Sequence, residues 1–221
     1  MDNRNRRGFA SRSTLLVLVA ALAAGLGLYA AQRYFAPGNL LSSTSQQQLK
    51  AVRLIHPPRQ LGPYQLTRSD GTALSGKQLQ GHWTIVFLGF THCPDVCPTT
   101  LAELAKAQQS WRSIDASIRP RLLFVSVDPE RDTPAIAGDY AKFFDPDTLA
   151  ATANAQALAD FSAIMGLVYM KVPLGDGDYS MDHSATLVVL DPEGRQAGLI
   201  RPPLKWDDIA GDMRLLSAVQ P

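Results

Sequence analysis

Two cysteines, Cys93 and Cys97, stand four positions apart, and the chain contains no others. They follow residues 84–88, a short apolar and β-branched run whose composition predicts a buried strand. Downstream of the pair, Leu101 and Leu104 recur at helical spacing. The cysteines therefore lie where a strand turns into a helix, and the rest of the fold has to be built around that turn.

The position of the two thiols bears on their chemistry. Free backbone N–H groups and the positive end of the helix dipole favour thiolate over thiol at a helix start. Residues i and i+4 of a helix share one face, so both sulfurs can point at one spot. Three residues separate Cys93 from Cys97, whereas thioredoxin-type redox motifs have two, and the wider gap suits a pair that holds an ion. Disulfide exchange and metal binding both remain open.

Soft thiolates select Cu(I), zinc or iron–sulfur clusters, and two cysteines are too few for a cluster. A mononuclear site needs a further donor, and the chain has four histidines. His92 adjoins Cys93 and is expected to project away from the site, while His82 and His56 are expected at the surface. His183 lies just before an apolar strand, at the same kind of sheet end as the cysteines, so it is the best candidate for a third ligand.

An apolar segment near the N-terminus predicts a membrane helix. Residues 13–32 carry no formal charge, and a helix of this length covers about 30 Å, the thickness of a bilayer core. Four arginines precede the segment and Arg33 follows it. The positive-inside bias then keeps the N-terminus in the cytoplasm and places everything after Tyr34 on the other side.

Two alternatives to a permanent anchor are a cleaved signal peptide and a twin-arginine export signal at Arg6-Arg7-Gly8-Phe9. The apolar run is longer than a usual signal-peptide core and lacks a convincing cleavage site. All three interpretations export the domain. Outside the cytosol, two neighbouring thiols oxidise unless they are reduced or held by a metal.

The chain divides into a cytoplasmic tail at 1–12, a transmembrane anchor at 13–33, a tether at 34–60 and a folded domain at 61–221. Small polar residues without periodicity fill the tether. The domain carries a slight excess of acidic groups, so no nucleic-acid partner is expected.

Strand and helix patterns alternate through the domain, which predicts an α/β fold with a mixed sheet. The predicted strands and helices, taken from the pattern of apolar residues, are a hairpin at 64–74, strands at 84–88 and 121–127, helices at 98–114, 134–144 and 154–165, a strand at 168–172, a hairpin at 185–200 and a helix at 206–219. Thr133 and Pro134 are the expected N-cap and first residue of the helix at 134–144.

Three motifs occur in the order and spacing of the Sco/SenC family, and the chain resembles a membrane-anchored member of it. They are Gly-Phe-Thr-His-Cys-Pro-Asp-Val-Cys-Pro-Thr-Thr at 89–100, Val-Asp-Pro-Glu-Arg-Asp-Thr-Pro at 127–134, and Asp-His-Ser at 182–184 followed by a strand and Asp-Pro-Glu-Gly at 191–194. The resemblance, which covers about 61–221, implies a thioredoxin-like fold with a mixed central sheet and an added hairpin.

The resemblance further implies one copper ion, Cu(I) or Cu(II), bound through Cys93, Cys97 and His183. Its implied role is to serve the dinuclear copper (CuA) site in a subunit of cytochrome c oxidase, with the domain in the bacterial periplasm and the anchor in the inner membrane. Whether another periplasmic protein donates the copper stays open. Asp182, Asp128 and Met181 are candidates for shaping the site.

The same Cys93 and Cys97 could instead form a redox-active disulfide, and the chain would then be a thiol-disulfide oxidoreductase that reduces the cysteines of the oxidase copper site before metallation. That function does not require His183. A peroxidase of the thioredoxin superfamily is a third, remote class. Copper carriage makes the protein a carrier and not a catalyst.

Overall fold

The computed structural model describes residues 12–35 and 49–219, which belong to two separate units divided after Gln48. The predicted tail over residues 1–11, with its arginine pair, and the tether over residues 36–48 lie outside the described residues.

In the N-terminal unit, the described residues form the helix α1, Arg12–Phe35. Its segment Thr14–Ala31 has a mean hydropathy of 2.2 and is long and apolar enough to cross a membrane. The predicted apolar helix is therefore confirmed. The same length and composition would also fit a signal sequence.

The second unit is built on an eight-stranded mixed sheet with flanking helices, and a two-stranded hairpin stands apart from that sheet. Its elements, in chain order, are β1 (Val52–Arg59), β2 (Leu66–Arg68), β3 (Ala73–Leu74), α2 (Gly76–Leu79), β4 (Thr84–Gly89), α3 (Val96–Trp111), β5 (Arg121–Ser126), α4 (Pro134–Phe144), β6 (Leu149–Thr152), α5 (Ala155–Met165), β7 (Tyr169–Gly175), β8 (Asp178–His183), β9 (Leu187–Leu190), β10 (Gln196–Ile200) and α6 (Trp206–Ala218).

The strand order is β1-β10-β9-β4-β5-β6-β2-β3, with β4, β5 and β6 parallel and the other pairs antiparallel. Every residue of β4 is buried, as are the last five of β5, because helices or loops cover both faces of the centre. This explains their unbroken apolar sequence. The predicted mixed α/β fold is confirmed, and the β7–β8 pair is the added hairpin.

Helix α4 begins where its sequence predicts. The Thr133 side chain accepts a hydrogen bond from the Ile136 N–H at 3.3 Å, and Pro134 occupies the first turn, where no amide proton is missed. Asn154 caps α5 in the same way, by accepting from the Ala157 N–H at 2.9 Å. Both caps are encoded locally, so local sequence is enough to find them.

The boundary of the folded unit differs from the predicted one. Residues 52–59, assigned to the tether, form the edge strand β1 against β10, and the unit starts at Leu49. The buried Asp212 carboxylate accepts hydrogen bonds from the backbone N–H groups of residues 50, 51 and 52. An edge strand tolerates prolines and polar residues, and for that reason its sequence looked like a linker.

Two further strands and one histidine depart from the sequence interpretation. Strands β6 and β8 were not predicted, since β6 is alanine-rich and β8 is polar and pairs only with β7. The expected surface position of His82 is wrong: the residue is 8% exposed, and its Nδ1 lies 2.9 Å from the Arg119 carbonyl. His56 is exposed as expected, but it belongs to β1.

Candidate metal centre

The two cysteines lie at the carboxyl end of β4, where the chain turns into α3. Gly89, the last residue of β4, has no room for a side chain. A Cβ there would stand 2.8 Å from the Phe124 ring and 3.0 Å from Cys97 Sγ. The glycine therefore lets the strand pass directly beside the Cys97 sulfur.

Cys93 and Cys97 are free thiols with unequal exposure: Cys97 is fully buried, and Cys93 is half-buried. The Cys97 backbone N–H donates to Cys93 Sγ at 3.3 Å. This amide belongs to the first turn of α3, where N–H groups lack a partner within the helix. The predicted convergence of both sulfurs near the helix start is thus observed, with Cys93 on the outer side.

The predicted preference for thiolate does not hold for Cys97. Burial raises the pKa of its thiol far above the ordinary value, although a hydrogen bond from the Phe90 backbone acts in the opposite direction. The side chain points into the core from the second residue of α3, so loss of hydration outweighs the favourable helix dipole. Cys97 is a protonated thiol until something replaces its proton.

His183, the last residue of β8, meets the cysteines as its sequence position predicts. Its Nε2 lies 3.3 Å from Cys97 Sγ, and its Nδ1 lies 3.2 Å from the Ser184 carbonyl. The Nδ1–H tautomer satisfies this carbonyl and leaves the Nε2 lone pair facing the sulfur. Burial lowers the pKa of the ring, so the imidazole is neutral at physiological pH.

Aromatic rings enclose the imidazole. The rings of Phe87 and Phe90 meet His183 edge to face, at centroid distances of 5.9 and 6.1 Å. They keep water from the inner side of the site and limit the rotation of the imidazole. His183 is thereby presented to Cys97 in one orientation.

A buried carboxylate fixes the loop before Cys93. Asp132 accepts hydrogen bonds from the Thr91 N–H at 2.8 Å, the Thr91 hydroxyl at 2.5 Å and the Ser126 hydroxyl at 2.5 Å. His92 is exposed, with its Nδ1 3.8 Å from the same carboxylate, so it points toward Asp132 and not toward the sulfurs. Asp132 joins the start of the cysteine loop to the end of β5.

A second polar cluster joins the hairpin that carries His183 to the loop after β5. Asp128 accepts from the Tyr179 hydroxyl at 2.8 Å and from Arg131 Nε at 2.5 Å. Arg131 also donates to the Tyr179 carbonyl at 3.1 Å. On the outer side, Lys171 pairs with Glu130 at 2.7 Å. Sequence reasoning missed Arg131 and Tyr179. Arg131 lies in the conspicuous motif at 127–134, whereas Tyr179 lies outside all three motifs.

The three residues expected to shape the site have different surroundings. Asp182 is exposed, and the Nδ1 of His183 faces the Ser184 carbonyl. Asp128 is buried within the Arg131–Tyr179 cluster and touches the hairpin. Met181 is 6% exposed and belongs to the core. A packing role for Met181 and a hairpin-holding role for Asp128 follow from these contacts.

Within residues 12–35 and 49–219, no three histidine, cysteine or carboxylate side chains already enclose a common point. The nearest arrangement is the Cys97–His183 contact with Cys93 one turn away. Two sulfurs and one neutral imidazole form a soft donor set that suits Cu(I) in three-coordination. A structural zinc site would need a fourth ligand from the protein.

Comparison with known proteins assigns the chain to a family. The SCO1/SenC family model matches residues 53–217. The mitochondrial SCO1 homolog 1 of Arabidopsis thaliana is 38% identical over 60% of this chain and 39% of its own length. The mitochondrial SCO2 homolog of Bos taurus is 34% identical over 82% of this chain and 66% of its own. The chain thus spans less than two thirds of these two relatives.

Solved structures show the same fold. Arabidopsis thaliana ScoI with copper bound superimposes with a TM-score of 0.64 at 33% identity, covering 70% of this chain and 98% of that one. Bradyrhizobium japonicum ScoI with copper bound gives 0.65 at 37% identity, with coverages of 71% and 98%. The fold is thioredoxin-like with an added hairpin, and the chain belongs to the SCO1/SenC family.

Proposed function

We propose that this protein is a membrane-anchored copper chaperone that binds one copper ion through Cys93, Cys97 and His183. It delivers that ion to the CuA site of cytochrome c oxidase. The observation that carries the proposal is the 3.3 Å approach of His183 Nε2 to Cys97 Sγ, between residues 86 positions apart in sequence. The helix start holds Cys93 one turn from Cys97.

Copper is the cargo, and each of the three residues has a separate task. Cys97 gives up its proton when copper replaces it, and the neutral His183 ring offers its Nε2 lone pair without competition from a proton. The Cys93 sulfur is the more accessible of the two, so copper enters and leaves on the side of Cys93.

A carrier has to release its ion, and the surroundings of Cys93 favour release. Pro94, Asp95 and Val96 beside it are exposed, and Val96 presents 52% of its surface. A partner can therefore bring its own ligands close to the copper and take it by ligand exchange. The copper-site subunit of the oxidase is the proposed acceptor.

The proposed location follows from α1. Its apolar segment would anchor the protein in the bacterial inner membrane, with the N-terminus in the cytoplasm and the folded unit in the periplasm. Copper in the two ScoI structures supports the choice of metal, because those proteins are at least 33% identical to this chain over its folded unit. A separate periplasmic copper donor would fit this location.

Copper titration of the full chain in neutral detergent, with and without reductant, tests the proposal. We expect one copper per chain in the wild type and loss of that site in Cys93→Ala, Cys97→Ala and His183→Ala. The His92→Ala protein is the matched control, since its imidazole faces Asp132, and it should bind as the wild type does. Unchanged affinity and absorption spectrum in His183→Ala would remove that residue from the ligand set.

Thiol-disulfide exchange is the second candidate function. The unequal exposure of the two thiols favours it, because the half-buried Cys93 receives a backbone N–H bond and could attack a disulfide before the buried Cys97 resolves the intermediate. Cells that carry only the His183→Ala protein separate the two functions. Full oxidase assembly in such cells would favour cysteine reduction over copper delivery.

A further inference from the structure

A basic cavity lies at the end of the sheet opposite the cysteines. Its volume is about 420 Å³, and it opens where β5 and β6 begin, between the β2–β3 turn and the last turn of α4. The cysteines lie where the neighbouring parallel strand β4 ends. Strands of six residues separate the two places by about 17 Å.

Cations outnumber carboxylates in the cavity wall. The charged lining residues are Arg68, Arg119, Arg121 and Lys142 against Asp70 and Asp147. Their formal charges leave an excess of two positive charges in a body that is slightly acidic elsewhere. The sign of the cavity is therefore opposite to that of the unit around it.

Other groups already engage the two carboxylates. Asp70 accepts from the Thr72 N–H and hydroxyl and lies 3.5 Å from Arg68. Asp147 lies 3.4 Å from Arg112, which is not part of the cavity wall. Neither acid neutralises the remaining cations of the wall.

Arg119, Arg121 and Lys142 form no ion pair within the described parts of the chain. Arg119 donates to the carbonyls of residues 112 and 114, so its guanidinium is held in place at the end of α3. Arg121 is half-buried, and its guanidinium donates a long hydrogen bond, 3.5 Å, to the Gln78 carbonyl. Burial, and repulsion from Arg68, lower the pKa of Arg121.

A half-buried guanidinium beside a second cation is unfavourable unless an anion joins them. Arginine forks bind phosphate oxygens in pairs, and their planar geometry makes the contact specific. A phosphate group carries up to two negative charges, which matches the excess in the wall, whereas a single carboxylate carries one. The volume leaves room for an organic group attached to the phosphate.

We infer that this cavity binds a phosphate group, with Arg121 and Lys142 as its principal contacts. The ligand is either a soluble phosphate compound or the headgroup of an anionic phospholipid, and both present the same chemistry to the wall. The site is independent of the proposed copper function because it shares no residue with the cysteines or His183.

Titration of the full chain in neutral detergent with inorganic phosphate, at constant pH and ionic strength against chloride, tests the inference. We expect saturable binding by calorimetry and a matching rise in melting temperature. Arg121→Gln combined with Lys142→Gln should weaken phosphate binding at least tenfold. Arg53→Gln, which removes an exposed arginine on β1, should leave it unchanged.

Lys142→Gln alone keeps the test valid if the double variant fails to fold, since Lys142 is exposed and makes no described contact. It should still weaken phosphate binding severalfold. Equal binding in the wild type and this variant would overturn the inference. The inference would also be overturned if phosphate raised the melting temperature no more than chloride does, or if succinate bound as tightly as phosphate.

The two sources are separated by comparing glycerol phosphate with short-chain phosphatidylglycerol, using phosphatidylcholine as the lipid control. If phosphatidylglycerol binds more tightly than glycerol phosphate, and Lys142→Gln abolishes that binding, the cavity takes a lipid headgroup. Equal binding of glycerol phosphate assigns it to a soluble compound. Lipid binding that the variant leaves intact would count against the cavity. Copper binding in the same variants should stay at the wild-type level.

Discussion

Arg131 and Tyr179 stack on each other, with the guanidinium carbon 3.8 Å from the centroid of the phenol ring. Arg131 belongs to the loop after β5, and Tyr179 belongs to the hairpin that ends in His183. Three contacts join these two parts of the fold: the stack itself, the ion pair between Arg131 and Asp128, and the hydrogen bond from the Tyr179 hydroxyl to Asp128. The hairpin therefore meets the cysteines in a fixed position, although it lies outside the main sheet.

Replacing Arg131 by alanine should weaken copper binding without removing a ligand. The change breaks the stack and leaves the buried Asp128 carboxylate without its ion-pair partner, so His183 loses its fixed approach to Cys97. Mutating a residue that orients a metal ligand lowers the metal affinity by about 10- to 100-fold, and we expect a loss of copper affinity in this range. Competition with a Cu(I) chelator measures it.

Lys171→Ala is the control for Arg131→Ala. Lys171 Nζ also lies 3.8 Å from the centroid of the Tyr179 ring, but its ion pair is with the exposed Glu130 and not with the buried Asp128. Exposed ion pairs contribute about 0–1 kcal/mol, so copper affinity should change little. If Arg131→Ala binds copper as tightly as Lys171→Ala does, the hairpin does not depend on the stack.

Gly89→Ala should destabilise the folded unit and disturb the metal centre together. The new Cβ would stand 2.8 Å from the Phe124 ring and 3.0 Å from Cys97 Sγ, in a part of the core without free volume. Overpacking of this kind costs about 1–3 kcal/mol, which urea unfolding of the reduced, metal-free chain would show.

Gly211→Ala is the matched control, and it should change the free energy of unfolding in the opposite direction. Gly211 lies inside α6, and a Cβ there would meet nothing within 4 Å. Alanine is favoured over glycine in a helix by roughly 0.5–1 kcal/mol, so this variant should be more stable than the wild type. Equal effects of the two substitutions would refute the assigned role of Gly89.

The stability of the metal-free chain should fall as the pH drops, and His82 should account for part of the loss. Burial lowers the pKa of His82, and the hydrogen bond to the Arg119 carbonyl, which raises the pKa, offsets only part of this effect. Below about pH 6.5 the unfolded chain binds a proton that the folded chain does not yet bind, so unfolding is favoured until the folded pKa is passed. His183, whose pKa is also lowered, acts in the same direction.

Urea unfolding of wild type and His82→Gln at about pH 7.5 and about pH 5 isolates the contribution of His82. The variant should lose less free energy of unfolding between the two pH values than the wild type loses. Parallel losses in the two proteins would show that His82 is protonated equally in the folded and unfolded states.

Copper binding should release at least one proton, because burial raises the pKa of Cys97 and keeps it a thiol at neutral pH. The apparent Cu(I) affinity should therefore rise by about tenfold or more per pH unit around neutrality. Calorimetry in two buffers of different ionisation enthalpy counts the released protons directly. A count of zero would mean that Cys97 is already a thiolate or is not a ligand.

Local sequence predicts those parts of the molecule that local forces determine. The apolar runs of β4 and β5 and the Thr133 cap of α4 were found because burial on both faces and helix capping leave short-range patterns. Strand β1 was missed because an edge strand can be polar, and its hydrogen bonds go to Asp212 and β10, far away in sequence.

In the candidate site, too, some residues can be predicted from local sequence and others cannot. Cys93, Cys97 and His183 stand out by residue type and position, whereas Arg131 and Tyr179 become partners only after folding brings residues 48 positions apart together. The protonation of Cys97 also depends on the completed core, because local helix electrostatics alone favours the opposite state. Contacts between distant segments therefore decide what the sequence pattern leaves open.

Asp212 should be one of the most sensitive positions outside the metal centre. Its carboxylate, 3% exposed, accepts three backbone N–H groups at 3.0, 2.7 and 2.8 Å and so fixes the start of β1 to α6. Asp212→Ala leaves those donors without their acceptor. The Val52 N–H is buried, and an unpaired buried group costs about 1–3 kcal/mol, whereas the part-buried donors of residues 50 and 51 cost less. We expect a loss of about 2–5 kcal/mol in the free energy of unfolding.

Asp212→Asn separates charge from hydrogen bonding at this position. The amide keeps one accepting oxygen and adds an NH₂ group that faces the backbone donors, so it should recover only part of the loss. Asp208→Ala is the control, because its pairing with the exposed Lys50 contributes little. If Asp212→Ala unfolds at the same urea concentration as Asp208→Ala, β1 is held by β10 alone, and the tether would extend further than residue 48.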